Sequence, residues 1–218
     1  MEDAKEFNVM RILAEQGDAK AQQFLGLSYA KGQDVEQNYK EAVKWWRKAA
    51  EQGNADAQCD LGSCYEYGIG IEQNYEEAVK WYRLAAEQGN AYAQCSLGSC
   101  YANGQGVKQN YKEAVKLFRL AVQQGEANAQ FNLGISYYKG QGVEQNYKEA
   151  AKLFRLASAQ GYDKAQFNLG ICYYNGNGVE QDYEEAAKWW TKSAEQGYAD
   201  SFEALKKLIK KGLIKNPF

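Results

Sequence analysis

The chain has 218 residues, of which 26 are basic, 28 are acidic and none is histidine. This balance gives no electrostatic field that would select nucleic acid or an anionic membrane, and no apolar run is long enough to span a bilayer. Without histidine, the commonest general base and zinc ligand are missing, together with Ser–His and Cys–His nucleophile pairs. The composition therefore argues against an enzyme, and we expect no cofactor and no metal.

One 36-residue segment recurs five times without insertion or deletion. A fixed period in this range is the signature of a stacked-repeat protein. We therefore predict an all-α fold, in which about twelve antiparallel helices form one continuous right-handed α/α superhelix (solenoid). The predicted segments are an N-terminal half repeat at 1–17, repeats at 18–53, 54–89, 90–125, 126–161 and 162–197, and a C-terminal capping helix and tail at 198–218.

Residues 1–17 match the second half of a repeat, with Val9 and Met10 at the positions that Trp45 and Trp46 hold later. We predict a lone helix that caps the N-terminal end of the stack. The first ten residues are too charged for a signal peptide, so we expect a cytoplasmic location. A secreted or periplasmic protein whose signal peptide had been removed would have the same kind of N-terminal sequence.

Each full repeat predicts two helices joined by a turn, as residues 126–161 illustrate. Apolar side chains recur at helical spacing over 127–138, the first helix, and over 147–159, the second helix. Two glycines in the turn end the first helix. Asn146 is the predicted N-cap of the second helix, with Glu149 as its capping-box partner.

A glycine follows a leucine inside every first helix, although glycine costs a helix roughly 1 kcal/mol relative to alanine. We interpret it as a point of close approach, where the second helix crosses and no side chain fits. An alanine of the second helix is expected to provide the matching flat surface, with aromatic side chains around the crossing. The crossing glycines are Gly26, Gly62, Gly98, Gly134 and Gly170.

The recurring pattern AxAQxxLGxxYxxGxGVxxxYxxAxxxxxxAAEQG resembles the Sel-1-like repeat, a relative of the tetratricopeptide repeat. The resemblance covers residues 18–197. Asp34 departs from it, because the other copies have glycine at this place in the turn, and we expect this turn to differ in shape. The resemblance implies that first helices line the concave side of the superhelix and hold a protein or peptide there.

The five cysteines do not predict disulfide bonds. All of them lie on first helices, and two residues five apart on one helix point away from each other. We expect buried, reduced thiols, which agrees with a cytoplasmic location, and no metal site. The cysteines are Cys59, Cys64, Cys95, Cys100 and Cys172.

Residues 198–211 match a first helix, but Lys206 replaces the crossing glycine and Ile209 the tyrosine, so no partner helix is expected to cross. Five lysines make this end basic. We interpret it as a solubilising cap, with a docking patch for an acidic partner as the alternative. The lysines are Lys206, Lys207, Lys210, Lys211 and Lys215.

Superposing the five copies separates the fixed positions of the first helix from the variable ones. The variable positions form one stripe at helical spacing, and we predict that this stripe contacts the ligand. It is small and polar in the second and third copies, and bulky and apolar in the fourth and fifth. The predicted contact residues are Asp60, Tyr67, Tyr92, Ser96, Asn103, Asn132, Tyr138, Asn168 and Tyr174.

Asn132 and Asn168, at equivalent positions of this stripe, are expected to hydrogen-bond a peptide backbone. Tyr138 and Tyr174 are expected to hold an apolar anchor residue of the ligand. For Phe131 and Phe167 two interpretations stay open, a groove surface or core between neighbouring first helices. The leading hypothesis is a monomeric adaptor that binds a protein or peptide. The alternative is a structural module that self-assembles through its ends or its convex face, without a peptide ligand.

Overall fold

The computed structural model describes residues 2–214, and side chains from residue 6 onward. Twelve α-helices and no strand occur in this range, which confirms the all-α prediction. No helix among these residues is both long and apolar enough to cross a membrane. The tail at 215–218, with Lys215, lies outside the described residues.

The helices have nearly equal lengths and follow one another through short turns. Even-numbered helices are the first helices of the repeats, and odd-numbered helices are the second helices. In chain order they are α1 (Glu2–Glu15), α2 (Ala19–Lys31), α3 (Tyr39–Glu51), α4 (Ala55–Tyr67), α5 (Tyr75–Glu87), α6 (Ala91–Asn103), α7 (Tyr111–Gln123), α8 (Ala127–Lys139), α9 (Tyr147–Ala159), α10 (Asp163–Asn175), α11 (Tyr183–Glu195) and α12 (Ala199–Lys210).

The chain divides into two compact units. The N-terminal unit, Met1–Asn110, contains α1 to α6, and the C-terminal unit, Tyr111–Phe218, contains α7 to α12. Within each unit, every helix packs against the next one along the chain. The right-handed superhelix and the single continuous domain stay predictions.

At each described crossing, an aromatic ring of the second helix lies directly on the glycine of the first. A Cβ atom at Gly62 would lie 2.7 Å from Cδ1 of Tyr82, and one at Gly134 would lie 2.6 Å from Cε1 of Phe154. Two further crossing glycines meet tryptophan rings in the same way. The predicted close approach is confirmed, but the ring fills the contact where an alanine surface was expected.

The second helices begin with half of the predicted capping box. The side chain of Asn146 accepts a hydrogen bond from the N–H of Glu149 at 3.1 Å, as expected. The reciprocal bond to Glu149 was predicted wrongly, because the N–H of Asn146 donates to the carbonyl oxygen of Tyr137 at 2.9 Å. This bond joins the start of α9 to the last turns of α8, and it therefore fixes the geometry of the hairpin.

Two recurring glutamines connect three successive helices. Nε2 of Gln52 donates to Oε1 of Gln22 at 2.7 Å, and Nε2 of Gln22 donates to the carbonyl oxygen of Ala14 at 3.1 Å. Because Gln22 is buried, these bonds satisfy an amide that would otherwise destabilise the fold. Equivalent bonds run through Gln88, Gln58 and Ala50, and in the C-terminal unit through Gln196, Gln166 and Ser158.

A recurring arginine also links four of the second helices, α3, α5, α7 and α9, to the next first helix. Nη2 of Arg47 donates to the hydroxyl of Tyr65 at 2.8 Å in the N-terminal unit. Nη2 of Arg119 donates to the hydroxyl of Tyr137 at 3.0 Å in the C-terminal unit. The repeats are thus joined by polar contacts as well as by apolar packing.

The second turn glycine packs against the preceding repeat. A Cβ atom at Gly70 would lie 2.5 Å from the carbonyl oxygen of Tyr39, and the φ angle of Gly70 is +71°. Asp34 holds this position in the first copy with a φ of 62°, so the expected difference in turn shape is wrong. Asp34 is exposed, and aspartate tolerates the left-handed region better than most residues.

Candidate ligand-binding groove

The predicted contact residues fall into two groups, one in each compact unit. The N-terminal stripe comprises Asp60, Tyr67, Tyr92, Ser96 and Asn103 on α4 and α6. The C-terminal stripe comprises Asn132, Tyr138, Asn168 and Tyr174 on α8 and α10, together with Phe131 and Phe167.

The N-terminal stripe contains a polar pocket of about 390 Å³ that includes Asp60 and Tyr92. Nε2 of Gln23 donates to the half-buried carboxylate of Asp60 over a long distance, 3.5 Å. The pKa of Asp60 is raised to about 6, chiefly by burial; the hydrogen bond from Gln23 lowers it, and the nearby carboxylate of Asp56 raises it. This pocket therefore offers a carboxyl group that is poorly solvated and weakly paired.

The other residues of the N-terminal stripe lie outside that pocket. Tyr67 is 61% exposed, and burial of its hydroxyl together with the charge of Glu66 raises its pKa to about 12. Ser96 is half-buried. Asn103 is exposed at the helix end, where its Nδ2 donates to Oε1 of Gln105 at 3.5 Å.

The N-terminal stripe also contains Glu66 on α4. Its hydrogen bond with the second helix was not predicted from the sequence. The buried hydroxyl of Tyr82 donates to Oε2 of Glu66 at 2.6 Å and lies 3.1 Å from Oγ of Ser63. Burial, and then Glu66, raise the pKa of Tyr82. A signal existed, because Tyr82 is the only hydroxyl-bearing ring at its repeat position and Glu66 the only acid at its own.

In the C-terminal stripe, Tyr138 is held by aromatic packing. Its ring centroid lies 5.0 Å from that of Tyr147 in an edge-to-face arrangement and 6.4 Å from that of Phe154. Its hydroxyl accepts a hydrogen bond from Nδ2 of Asn177 at 2.9 Å. The half-buried ring is therefore pre-oriented on the stripe.

Tyr174 occupies the equivalent position one repeat later. Its ring centroid lies 5.4 Å from that of Tyr183 and 5.7 Å from that of Trp190. Its hydroxyl accepts a hydrogen bond from Nζ of Lys211 at 2.9 Å, which brings the C-terminal helix to the stripe. Sequence reasoning placed Tyr174 in the groove but did not connect it with Lys211.

A pocket of about 510 Å³, which we name the C-terminal pocket, opens between α10, α11 and α12. Its floor is apolar and aromatic, formed by Phe167, Ile171, Tyr174 and Trp190. Its wall is one face of α12 and its C-cap residue, formed by Asp200, Glu203, Ala204, Lys207 and the C-cap Lys211. The C-terminal helix is therefore part of the candidate site as well as a cap.

The two phenylalanines pack as core on one side. The ring of Phe131 lies 5.3 Å from that of Tyr162, and the ring of Phe167 lies 5.2 Å from that of Tyr198. Both tyrosines belong to the start of the following first helix. Phe167 also lines the C-terminal pocket, so both interpretations hold for this residue, whereas the contacts of Phe131 favour core.

The two asparagines are half-buried at equivalent positions of α8 and α10. Nδ2 of Asn168 donates to the carbonyl oxygen of Lys164 at 2.8 Å, within its own helix. Asn168 would therefore offer its amide oxygen and its second N–H to a ligand.

The cysteines give the groove no nucleophile. All five are free and buried, as predicted. Burial raises the pKa of Cys64, Cys100 and Cys172 to about 12, so these thiols stay protonated near neutral pH. Among the described residues, no three Cys, Asp or Glu side chains come together as metal ligands would.

Comparisons with known proteins agree with this architecture. The Sel1 repeat model matches residues 19–54, 55–90, 91–126, 127–162 and 163–198. A Sel1 repeat protein from Oxalobacter formigenes is 38% identical, with a TM-score of 0.85 over 93% of this chain and 82% of that chain. No curated protein matches.

Two further crystal structures are similar. A protective antigen from uropathogenic Escherichia coli strains, displaying an SLR fold, is 39% identical, with a TM-score of 0.83 over 95% of this chain. The present chain covers only 45% of that antigen. The immunity protein Pa5087 from Pseudomonas aeruginosa shares the fold, at 21% identity and a TM-score of 0.57 over 88% of this chain and 74% of that one. Five consecutive matches to one repeat show that the chain belongs to the Sel1 repeat family.

Proposed function

We propose that this chain is an interaction scaffold that binds a peptide or a partner helix along the stripes of its first helices. Sel1 repeats commonly serve as protein-interaction scaffolds. The observation that carries the proposal is the C-terminal pocket, where variable positions of the repeat place half-buried Phe167, Ile171 and Tyr174 around an open space of about 510 Å³. A pocket of this size accommodates an apolar side chain.

The two equivalent asparagines would hold the backbone of the ligand. They lie on adjacent first helices of the C-terminal unit, at the same level of the repeat as the two phenylalanines. An amide that hydrogen-bonds a peptide backbone does not require a particular ligand side chain, whereas the aromatic pocket selects an anchor residue. The asparagines would thus position the ligand backbone, and the pocket would determine which anchor residue is accepted.

The test compares two double variants once a partner has been captured from native lysate. Asn132→Ala with Asn168→Ala should weaken binding by about 1–3 kcal/mol, because hydrogen bonds buried under the ligand are lost. Lys44→Ala with Lys80→Ala is the control, since both lysines are exposed and pair with glutamates of their own second helices. Titration calorimetry measures both. Loss of binding in the lysine variant alone would contradict the groove.

A second candidate, self-assembly through second helices, is favoured by three exposed leucines. Leu84, Leu120 and Leu156 occupy the same repeat position and are each 45% exposed. In the first and last repeats this position holds Lys48 and Lys192, so lysine is compatible with the fold. If sedimentation analysis shows an oligomer, Leu120→Lys should dissociate it, whereas a monomer supports the adaptor. Monomeric state and cytoplasmic location stay predictions.

A further inference from the structure

The wall of the C-terminal pocket has an acidic end and a basic end. Asp200 and Glu203 lie near the start of α12, and Lys207 and Lys211 lie near its end. The spacing of these residues places them on one face of the helix, toward the aromatic floor. A ligand in the pocket would therefore meet both signs of charge.

The acidic end already has partners within the protein. Nζ of Lys206, which does not line the pocket, donates to Oε1 of Glu203 at 2.8 Å. Asp200 faces the hydroxyl of Tyr198, whose pKa is raised by burial and then by this carboxylate. Glu203 is therefore already paired with a lysine of its own helix, whereas Asp200 has the neutral hydroxyl of Tyr198 beside it.

The basic end is compensated less directly, because Lys206 and then Lys207, one turn away, lower the pKa of Glu203, but Lys207 forms no ion pair with it. Lys211 donates to the neutral hydroxyl of Tyr174, and its Nζ lies 5.7 Å from the centroid of that ring. In the described part of the chain, no carboxylate forms an ion pair with Lys207 or Lys211. Two lysines thus stand beside an aromatic floor, and neither forms an ion pair with another described residue.

We infer that the C-terminal pocket binds an acidic peptide through one apolar anchor and one neighbouring carboxylate. The anchor occupies the floor of Phe167, Ile171 and Tyr174, and the carboxylate pairs with Lys207 and Lys211. Ammonium groups favour carboxylate partners, and an apolar side chain excludes water from the pair. This inference rests on the proposed function, and it adds that the ligand is negatively charged next to its apolar anchor.

Three synthetic peptides with blocked ends test the inference on the full-length chain. Each carries a phenylalanine between two variable residues, which are glutamate in the first peptide, glutamine in the second and lysine in the third. Titration calorimetry at low and high salt should show that the glutamate peptide binds tightest, by roughly tenfold over the glutamine peptide. Added salt should remove most of that difference, because it screens exposed charges.

Two matched variants test whether the preference for the glutamate peptide depends on a lysine of the pocket wall. Lys207→Gln should weaken binding of the glutamate peptide by roughly fivefold and leave the glutamine peptide unchanged. Lys210→Gln removes the same charge from the same helix, but Lys210 does not line the pocket, so binding should stay as it was. Thermal melting of each variant shows whether α12 remains folded.

Equal affinity of the glutamate and glutamine peptides, tightest binding of the lysine peptide, or an equal loss in Lys210→Gln would each overturn the inference. In those cases the proposed function stands, because an apolar anchor still binds. If no peptide binds, the inference is wrong, and the asparagine variants with the captured partner decide the proposed function separately.

Discussion

The N-terminal and C-terminal stripes share one backbone plan but differ in whether they present carboxylates. In the N-terminal unit the ring on the crossing glycine is Tyr82, and its hydroxyl is bonded by Glu66 on the stripe. In the C-terminal unit the equivalent ring is Phe154, which has no hydroxyl, and the equivalent stripe position holds Tyr138. The N-terminal stripe displays the carboxylates of Asp60 and Glu66 as well as tyrosines, whereas the C-terminal stripe displays aromatic rings and amides without a carboxylate.

This difference teaches that the groove and the core are not independent. A buried hydroxyl requires a hydrogen-bond partner, and the nearest position that can provide one faces the groove. A ring without a hydroxyl leaves that position available to a second ring. The choice of core residue in a second helix therefore restricts what the first helix can present to a ligand.

The crossing that both units share should be the most sensitive point. Gly134→Leu places a side chain where the ring of Phe154 lies, and we expect a loss of about 3 kcal/mol of unfolding free energy or more. Gly62→Leu should cost a similar amount against Tyr82. Urea denaturation measures both. A markedly smaller loss in one unit would show that the two crossings are not packed alike.

Asp60 should make the stability of the protein depend on pH. Its pKa in the folded state, about 6, is above the value of about 3.9 expected when unfolded, so the ionised carboxylate opposes folding. The cost is absent below about pH 4, grows as the pH rises through 6, and is complete above it. Asp60→Asn should therefore stabilise by about 1–3 kcal/mol at neutral pH, without a gain near pH 4.

Urea titrations of the unchanged protein and Asp60→Asn across this pH range measure the difference. A gain that is the same at every pH would mean that the substitution acts through packing and not through ionisation. No comparable acid lines the floor of the C-terminal pocket, so this pH effect distinguishes the two stripes.

Exchanging the rings should reveal the coupling between core and groove. Tyr82→Phe removes the buried hydroxyl that donates to Glu66, and we expect a loss of about 1 kcal/mol. Tyr82→Phe with Glu66→Gln should recover part of it, since the amide has a lower desolvation cost than the carboxylate. A double-mutant cycle of unfolding free energies gives the coupling energy, and a value of zero would contradict the link.

The smallest effect is expected at the arginine link, which both units contain. Tyr65→Phe and Tyr137→Phe each remove one acceptor for an arginine near solvent, and each should cost about 0.5 kcal/mol. Thermal melting of the two variants provides the comparison. A large loss of thermal stability in only one variant would show that the arginine link contributes differently to the stability of the two units.

The sequence predicted those features that follow from local chemistry and period. The helix pairs, the N-cap at Asn146 and the close approach at Gly134 follow from spacing within one repeat. The bond between Gln22 and Gln52 was not predicted, although both glutamines recur in every copy. Thirty residues separate them, and recurrence alone does not show which fixed side chains meet in space.

The candidate site was predicted in part for a similar reason. Tyr174 and its neighbours were recognised because they vary at helical spacing. Lys207 and Lys211 were interpreted as part of a solubilising cap, with a docking patch for an acidic partner as the alternative, and their link to Tyr174 was not predicted. Helix α12 buries Leu205 and Leu208, and this packing turns its other face toward Tyr174.

The contact at the second turn glycine also decides how this chain could lengthen by duplicating its own segments. A copy of 18–53 inserted between two full repeats would bring the side chain of Asp34 against a tyrosine carbonyl, where Gly70 has no room for a Cβ atom. An internal copy placed first would meet no such obstacle, since glycine fits wherever aspartate does. This contact therefore makes an internal segment a better template for a new copy than the first segment.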